Sequence, residues 1–160
     1  MDANFRRPQL HAVFGIGNET AGFADVLNNP DALAQAAHDT DVPNLSVLPT
    51  GPRPANPTEL LESQFFIDFV ERALDEYDHV IFDSGPMLMM SETVAIAPRV
   101  DGVVTVVRAR GNSRGLLSRL RDELRRVKAE HIGVVLNAVR SQGGGYYGRN
   151  IKTYYAYQNQ

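Results

Sequence analysis

The sequence predicts an α/β domain in three layers, with a mostly parallel sheet and helices on both of its faces. Three observations predict it. Short Val- and Ile-rich runs recur at His79–Asp83, Gly102–Arg108 and Ile132–Asn137, and none alternates cleanly between apolar and polar residues. Strands buried on both faces read this way. Stretches with helical spacing lie between the runs, the order expected of a parallel sheet. The segment Thr50–Pro57 holds three Pro residues and sustains neither regular structure, so it is a loop.

Taken in order, a short helix is predicted over Gly22–Asn28 and another over Asp31–Ala37. A β-type run follows at Leu45–Pro49. Asn56-Pro57-Thr58-Glu59 reads as a helix start, with Asn as N-cap, Pro at the first position and Glu at the third. That helix runs to Tyr77, and Leu61, Phe65, Phe69 and Ala73, four residues apart, form its apolar face. A second strong helix starts at Ser113 with the stripe Leu117, Leu120, Leu124 and Val127; its five Arg residues are read as a solvated face. Met87–Met90 is read as a hydrophobic contact. From Ser141 the composition turns polar and Tyr-rich behind Gly143-Gly144-Gly145. The expected division is an α/β domain over 1–140 and a flexible tail over 141–160.

Composition narrows the function classes. A chain of 160 residues with 43% apolar and 22% charged residues suits one globular domain. The net charge of -3 gives no reason to propose nucleic acid as a partner. There is no Cys, which excludes thiolate chemistry and disulfides, and the four His residues show no metal-ligand spacing. No apolar run approaches the ~18 residues of a membrane span, and the N-terminus lacks the apolar stretch of a signal peptide. The chain is therefore expected in the cytoplasm.

Two features carry chemistry. Asp83 ends an apolar run and precedes the sharp loop Ser84-Gly85-Pro86. In open parallel sheets ligands bind beyond the carboxyl ends of strands, where a carboxylate suits Mg²⁺, a cation that takes hard oxygen ligands. The competing reading is that Asp83 only caps its turn. The tail is the second feature: Tyr146, Tyr147, Tyr154, Tyr155 and Tyr157 are five of the six Tyr residues. They sit among Gly, Asn, Gln, Arg and Lys, as exposed phosphoryl acceptors would, and each phosphate would add roughly -1.5 to -2 charge. Gly15-Ile16-Gly17 begins like a dinucleotide fingerprint but has Thr20 in place of the third Gly, and is discounted.

Together these segments resemble the bacterial tyrosine kinases of capsule and exopolysaccharide synthesis. Asp2-Ala3-Asn4-Phe5-Arg6-Arg7-Pro8 resembles the family's second Walker motif, and Gly15 to Leu27 its next segment. Asn56-Pro57-Thr58-Glu59-Leu60-Leu61 resembles its Asn-Pro-x-Glu-Leu-Leu signature. Tyr77 to Pro86 resembles its Walker B strand. Asp101 to Val107 and Gly133 to Asn137 resemble its two later strands. The resemblance implies a P-loop NTPase fold of the partition and septum-site type, with Mg-ATP as cofactor. It implies autophosphorylation of the tail between neighbouring subunits, a membrane-anchored co-polymerase as activator, and a place at the inner face of the membrane. It also implies roles: Asp2 activates the acceptor or orders Mg²⁺, Asp83 is the Walker B ligand, and Asn137 lies near the adenine.

Three departures qualify those roles. No Gly-x-x-x-x-Gly-Lys-Ser/Thr occurs in the chain. That loop cradles phosphates with backbone N–H groups and neutralises them with Lys, so its loss removes most of the positioning on which phosphoryl transfer depends. Asn4 stands where many relatives carry a second Asp. Gly85 stands where they carry Pro, which loosens that loop. In the family the phosphate loop precedes the Asp2 motif, so the N-terminal strands are expected to come from an upstream segment or from self-association. Two functions follow: the C-terminal part of an ATP-dependent tyrosine autokinase, or a non-catalytic substrate or docking subunit of the export complex.

Overall fold

The computed structural model describes residues 1–17, 19–109 and 113–139. The tail with its five Tyr residues, and the domain division at 141, lie outside the described residues.

Ring packing builds the main core. Phe23 is fully buried and stacks on Phe5 at 5.6 Å between ring centroids, with Phe69 at 5.3 Å and Phe82 at 6.0 Å around it. Phe66 joins the set through Phe82 at 5.7 Å. These rings come from four separate segments, so the cluster fixes where each one lies. Pairs of this geometry add about 0.5–1.5 kcal/mol beyond their area burial.

Helix α1 (Leu10–Val13) is one turn, and α2 (Phe23–Asn28) brings Phe23, Ala24, Val26 and Leu27 into the core. The first N–H groups of α2 have no partner within the helix. Phe23 and Ala24 donate instead to the carbonyls of Pro49 and Thr50, at 2.7 and 3.0 Å. That approach requires glycine: a Cβ on Gly22 would strike the backbone of Pro49 to Gly51, and Gly51 itself has φ +71°. A 3₁₀ turn (Pro30–Ala32) leads into α3 (Leu33–Ala36).

The run Leu45–Pro49 is a strand only over β2 (Ser46–Val47), and it pairs antiparallel with β1 (His38–Asp39). The expected helix over 56–77 is two helices, α4 (Pro57–Glu62) and α5 (Gln64–Glu76), because Ser63 is extended with ψ 169°. Leu61, Phe66, Phe69 and Ala73 are buried, whereas Phe65 is 48% exposed. Asn56 opens α4, but its side chain bonds Glu59 Oε2 at 3.0 Å and caps no backbone N–H.

The expected strand His79–Asp83 is extended backbone with a single parallel bridge, Asp2 to Asp83. Only residues 1–3 pair with it, too few for a ladder. Helix α6 (Ser91–Ile96), which the sequence pattern did not reveal, follows the loop after Asp83 and runs into a 3₁₀ turn (Ala97–Arg99).

Strands β3 (Val103–Arg108) and β4 (His131–Asn137) pair in parallel across α7 (Ser113–Arg126), as the sequence predicts. Val103 packs in a second core with Leu120, Leu124 and Val127 at the predicted stripe, together with Met87 and Ala97. Coverage on both faces is not what β3 shows. Its exposure alternates, with Val107 buried and Val104 and Val106 53% and 64% exposed. Valine content marks these strands; it does not report whether the second face has a cover.

Candidate functional site

The two carboxylates singled out in the sequence are brought together by residues 1–3, which run between two extended segments. On one side the Asp2 N–H donates to Leu48 O at 2.9 Å. On the other the Asp83 N–H donates to Met1 O at 2.9 Å, and the Ala3 N–H to Asp83 O at 2.8 Å. Parallel pairing therefore sets Asp2 beside Asp83 at the end of both segments.

Their environments differ. Asp2 is 0% exposed. Its Oδ1 accepts from the Asn4 N–H at 3.1 Å, and its Oδ2 from the N–H groups of Gln9 and Leu10 at 2.8 and 3.0 Å. The carboxylate thus ties down the turn that leads into α1, satisfying backbone donors that burial would otherwise orphan. The buried Thr50 hydroxyl donates to Asp2 O at 3.1 Å and holds the same segment from the other side. Asp83 is exposed, and its carboxylate takes no hydrogen bond from a described residue. Partial burial, then the Asp2 charge, raise its pKa above the usual carboxylate range. A cation beside Asp83 would relieve both effects.

The departures seen in the sequence have local reasons. Asn4 Oδ1 accepts the Arg7 N–H at 3.1 Å, so the amide closes the turn around Asp2. At Gly85 the side chain of Met90 takes the space a Cβ would fill, and Gly85 O accepts from Thr93 Oγ1 at 2.9 Å. Asn137 makes no hydrogen bond to either aspartate among the described residues. It ends β4 opposite Arg108, is exposed, and its Oδ1 accepts the Ala138 N–H at 2.7 Å. The acceptor tyrosines lie outside the described residues.

Mg-ATP fits this arrangement in part. Asp83 offers the free hard oxygen that Mg²⁺ takes. The Asp2 oxygens are already engaged by three N–H groups. No group of three or more potential metal ligands occurs among the described residues, and the sequence supplies no phosphate-cradling loop. The sequence reading missed Arg6 and Glu92, whose side chains join the Asp2 turn to α6; nothing in their spacing marks them as partners.

No family model matches the chain. A plasmid partition protein from Borrelia burgdorferi superposes with a TM-score of 0.64 at 15% identity, over 96% of this chain and 71% of that one, which is a likeness of fold. The chain thus shares the α/β fold of that protein, with a parallel strand pair and flanking helices. The kinase domain of the Escherichia coli tyrosine kinase ETK superposes with a TM-score of 0.81 at 29% identity, over 91% of this chain and 57% of that one. Tyrosine-protein kinase YwqD of Bacillus subtilis is 30% identical over 151 residues, 92% of this chain and 63% of the relative. The homologues of this chain are the bacterial tyrosine kinases, and it spans less than two thirds of the length of either relative.

Proposed function

We propose that this chain is the C-terminal part of an ATP-dependent protein-tyrosine autokinase that regulates polymerisation and export of capsular or extracellular polysaccharide. The homology to tyrosine-protein kinases over nearly the whole chain carries this reading. In it, Asp83 takes the Mg²⁺ of ATP, and Asp2 orders the cation from behind through its charge and holds the surrounding turn. Asn137 lies near the adenine. A tail phenol attacks the γ-phosphorus: the new O–P bond forms as the bond to the bridging oxygen breaks, ADP leaves carrying that oxygen, and the phenolic proton passes to a carboxylate of the Asp2–Asp83 pair or through it to water. Tyr146, Tyr147, Tyr154, Tyr155 and Tyr157 are the acceptors. The phosphate-binding loop comes from an upstream segment or a second subunit, and the open valine face of β3 gives such a segment an apolar surface to cover. The reading places the domain in the cytoplasm beside a membrane-anchored co-polymerase. Among the described residues no helix is long and apolar enough to cross a membrane.

A second reading is favoured by Asn4, an amide where a second Asp would serve Mg²⁺ better: a non-catalytic subunit whose tail is phosphorylated in trans. Intact mass after incubation with Mg-ATP separates the two. A phosphate gain mapping to Tyr146–Tyr157 and lost in Asp83→Asn establishes catalysis by the chain. A gain that needs a full-length kinase relative establishes the substrate reading. No gain in either incubation overturns both.

A further inference from the structure

Glu92 is a charged residue only 3% exposed, and the chemistry proposed above does not use it. It lies in the first turn of α6, directly after the loop that follows Asp83. Its Oε1 accepts from Arg6 Nε at 3.3 Å, across 86 positions of sequence, and the Arg6 side chain is 49% exposed. Its Oε2 accepts from Ser91 Oγ at 3.3 Å, and Ser91 Oγ lies 3.0 Å from Thr58 Oγ1 at the start of α4. Arg6 belongs to the turn that Asp2 holds together. One polar network therefore links the Asp2 turn, the start of α4 and the far end of the Asp83 loop.

A buried carboxylate persists only where partners offset its lost hydration. Removing Arg6 would leave Glu92 charged and unpaired, so the two side chains are coupled. The network lies at one end of residues 84–90, and the Asp83 bridge to residues 1–3 lies at the other. Both ends of the loop are thus anchored to the same N-terminal segment: at Asp83 by backbone hydrogen bonds, and at α6 by this ion pair.

We propose that Arg6 and Glu92 are positioning residues that clamp the loop after Asp83 onto the Asp2 turn, and so hold Asp83 in place to receive a divalent cation. The part concerning the cation rests on the kinase reading above. Neither residue touches the cation, and the clamp itself is independent of it.

Amide hydrogen exchange and Mg²⁺ titration of the whole chain test the proposal together. Glu92→Gln and Arg6→Met are expected to speed exchange over Ser84–Met90 roughly tenfold, as the loss of a charge-assisted hydrogen bond would. Met89, whose N–H bonds Pro86 O at 2.9 Å, is the best reporter. The amides of Val106 and Leu124 should not change. Arg6→Lys keeps the charge and should keep most of the protection, which guards against a variant that simply fails to fold. Mg²⁺ binding, followed by the backbone NMR signals of Asn4 and Asp83, should weaken roughly tenfold in Glu92→Gln. Unchanged loop exchange in both variants overturns the clamp, and so does a uniform acceleration at every amide. Loop-specific acceleration in a protein whose native form ignores Mg²⁺ supports the clamp and sinks the cation reading of Asp83.

Discussion

Asp83 and Glu92 are acids displaced in opposite directions, and the signs decide what pH does to each. Burial and the Asp2 charge raise the Asp83 pKa, so the folded chain binds this proton more tightly than the unfolded chain does. Stability is therefore lost as pH rises above about 4, the ordinary Asp value, through the raised value. Asp83→Asn is expected to raise stability at pH 7, by no more than about 1 kcal/mol because solvent screens an exposed group. It should also flatten the pH dependence above about pH 4. Urea unfolding of both forms at pH 4 and pH 7 checks this, and an equal gain at both values would refute it. Burial pushes Glu92 up, but hydrogen bonds from its own backbone N–H and from Arg6, with the Arg6 charge, outweigh it and leave its pKa lowered. Its contribution is present at pH 7 and is lost only as pH falls below about 4, beneath the ordinary Glu range.

At the scale of elements, the break at Ser63 separates what the sequence could reveal from what it could not. The stripe of α7 was legible because a single unbroken helix carries it. The face of α4 and α5 was legible at Leu61, Phe69 and Ala73, which are buried, but not at Phe66, which lies inward where the four-residue spacing pointed to Phe65. Phe66→Ala should cost about 3–5 kcal/mol, as buried Phe truncations do. Phe65→Ala should cost under about 1 kcal/mol, since a half-exposed ring loses far less packing. Chemical denaturation of the two variants measures the contrast, and equal losses would mean that the helix is continuous in solution. The parallel pairing of β3 and β4 was legible from composition and order. The antiparallel β1–β2 pair was not, because two-residue strands carry no periodicity. Of the candidate site, the sequence isolated Asp83 by its place at the end of an apolar run. Asp2 was reached only through the resemblance of residues 2–8 to a family motif, and its role as the anchor of its own turn emerges from three backbone N–H groups converging on it.

For the whole molecule, the open question of physical chemistry is the uncovered apolar surface of the parallel pair. Val104 and Val106 of β3 and Val135 of β4 stand exposed in register, with Val106 opposite Val135. Contiguous apolar surface on a strand pair mediates association unless something covers it. Val104→Thr with Val106→Thr keeps the branched shape that strands favour while making the face polar. The double variant is expected to lower binding of a hydrophobic dye several-fold and to abolish any self-association seen by sedimentation. Its unfolding midpoint should stay within about 0.5 kcal/mol of the parent, because exposed positions contribute little. Val107→Thr, on the buried face, supplies the contrast and should cost more than about 1 kcal/mol through its desolvated hydroxyl. If the double variant is as destabilised as Val107→Thr, a second copy already covers the face in solution. If it is fully stable yet no longer accepts the segment that carries the phosphate loop, the face is where that segment docks, and the domain is complete only once it has done so.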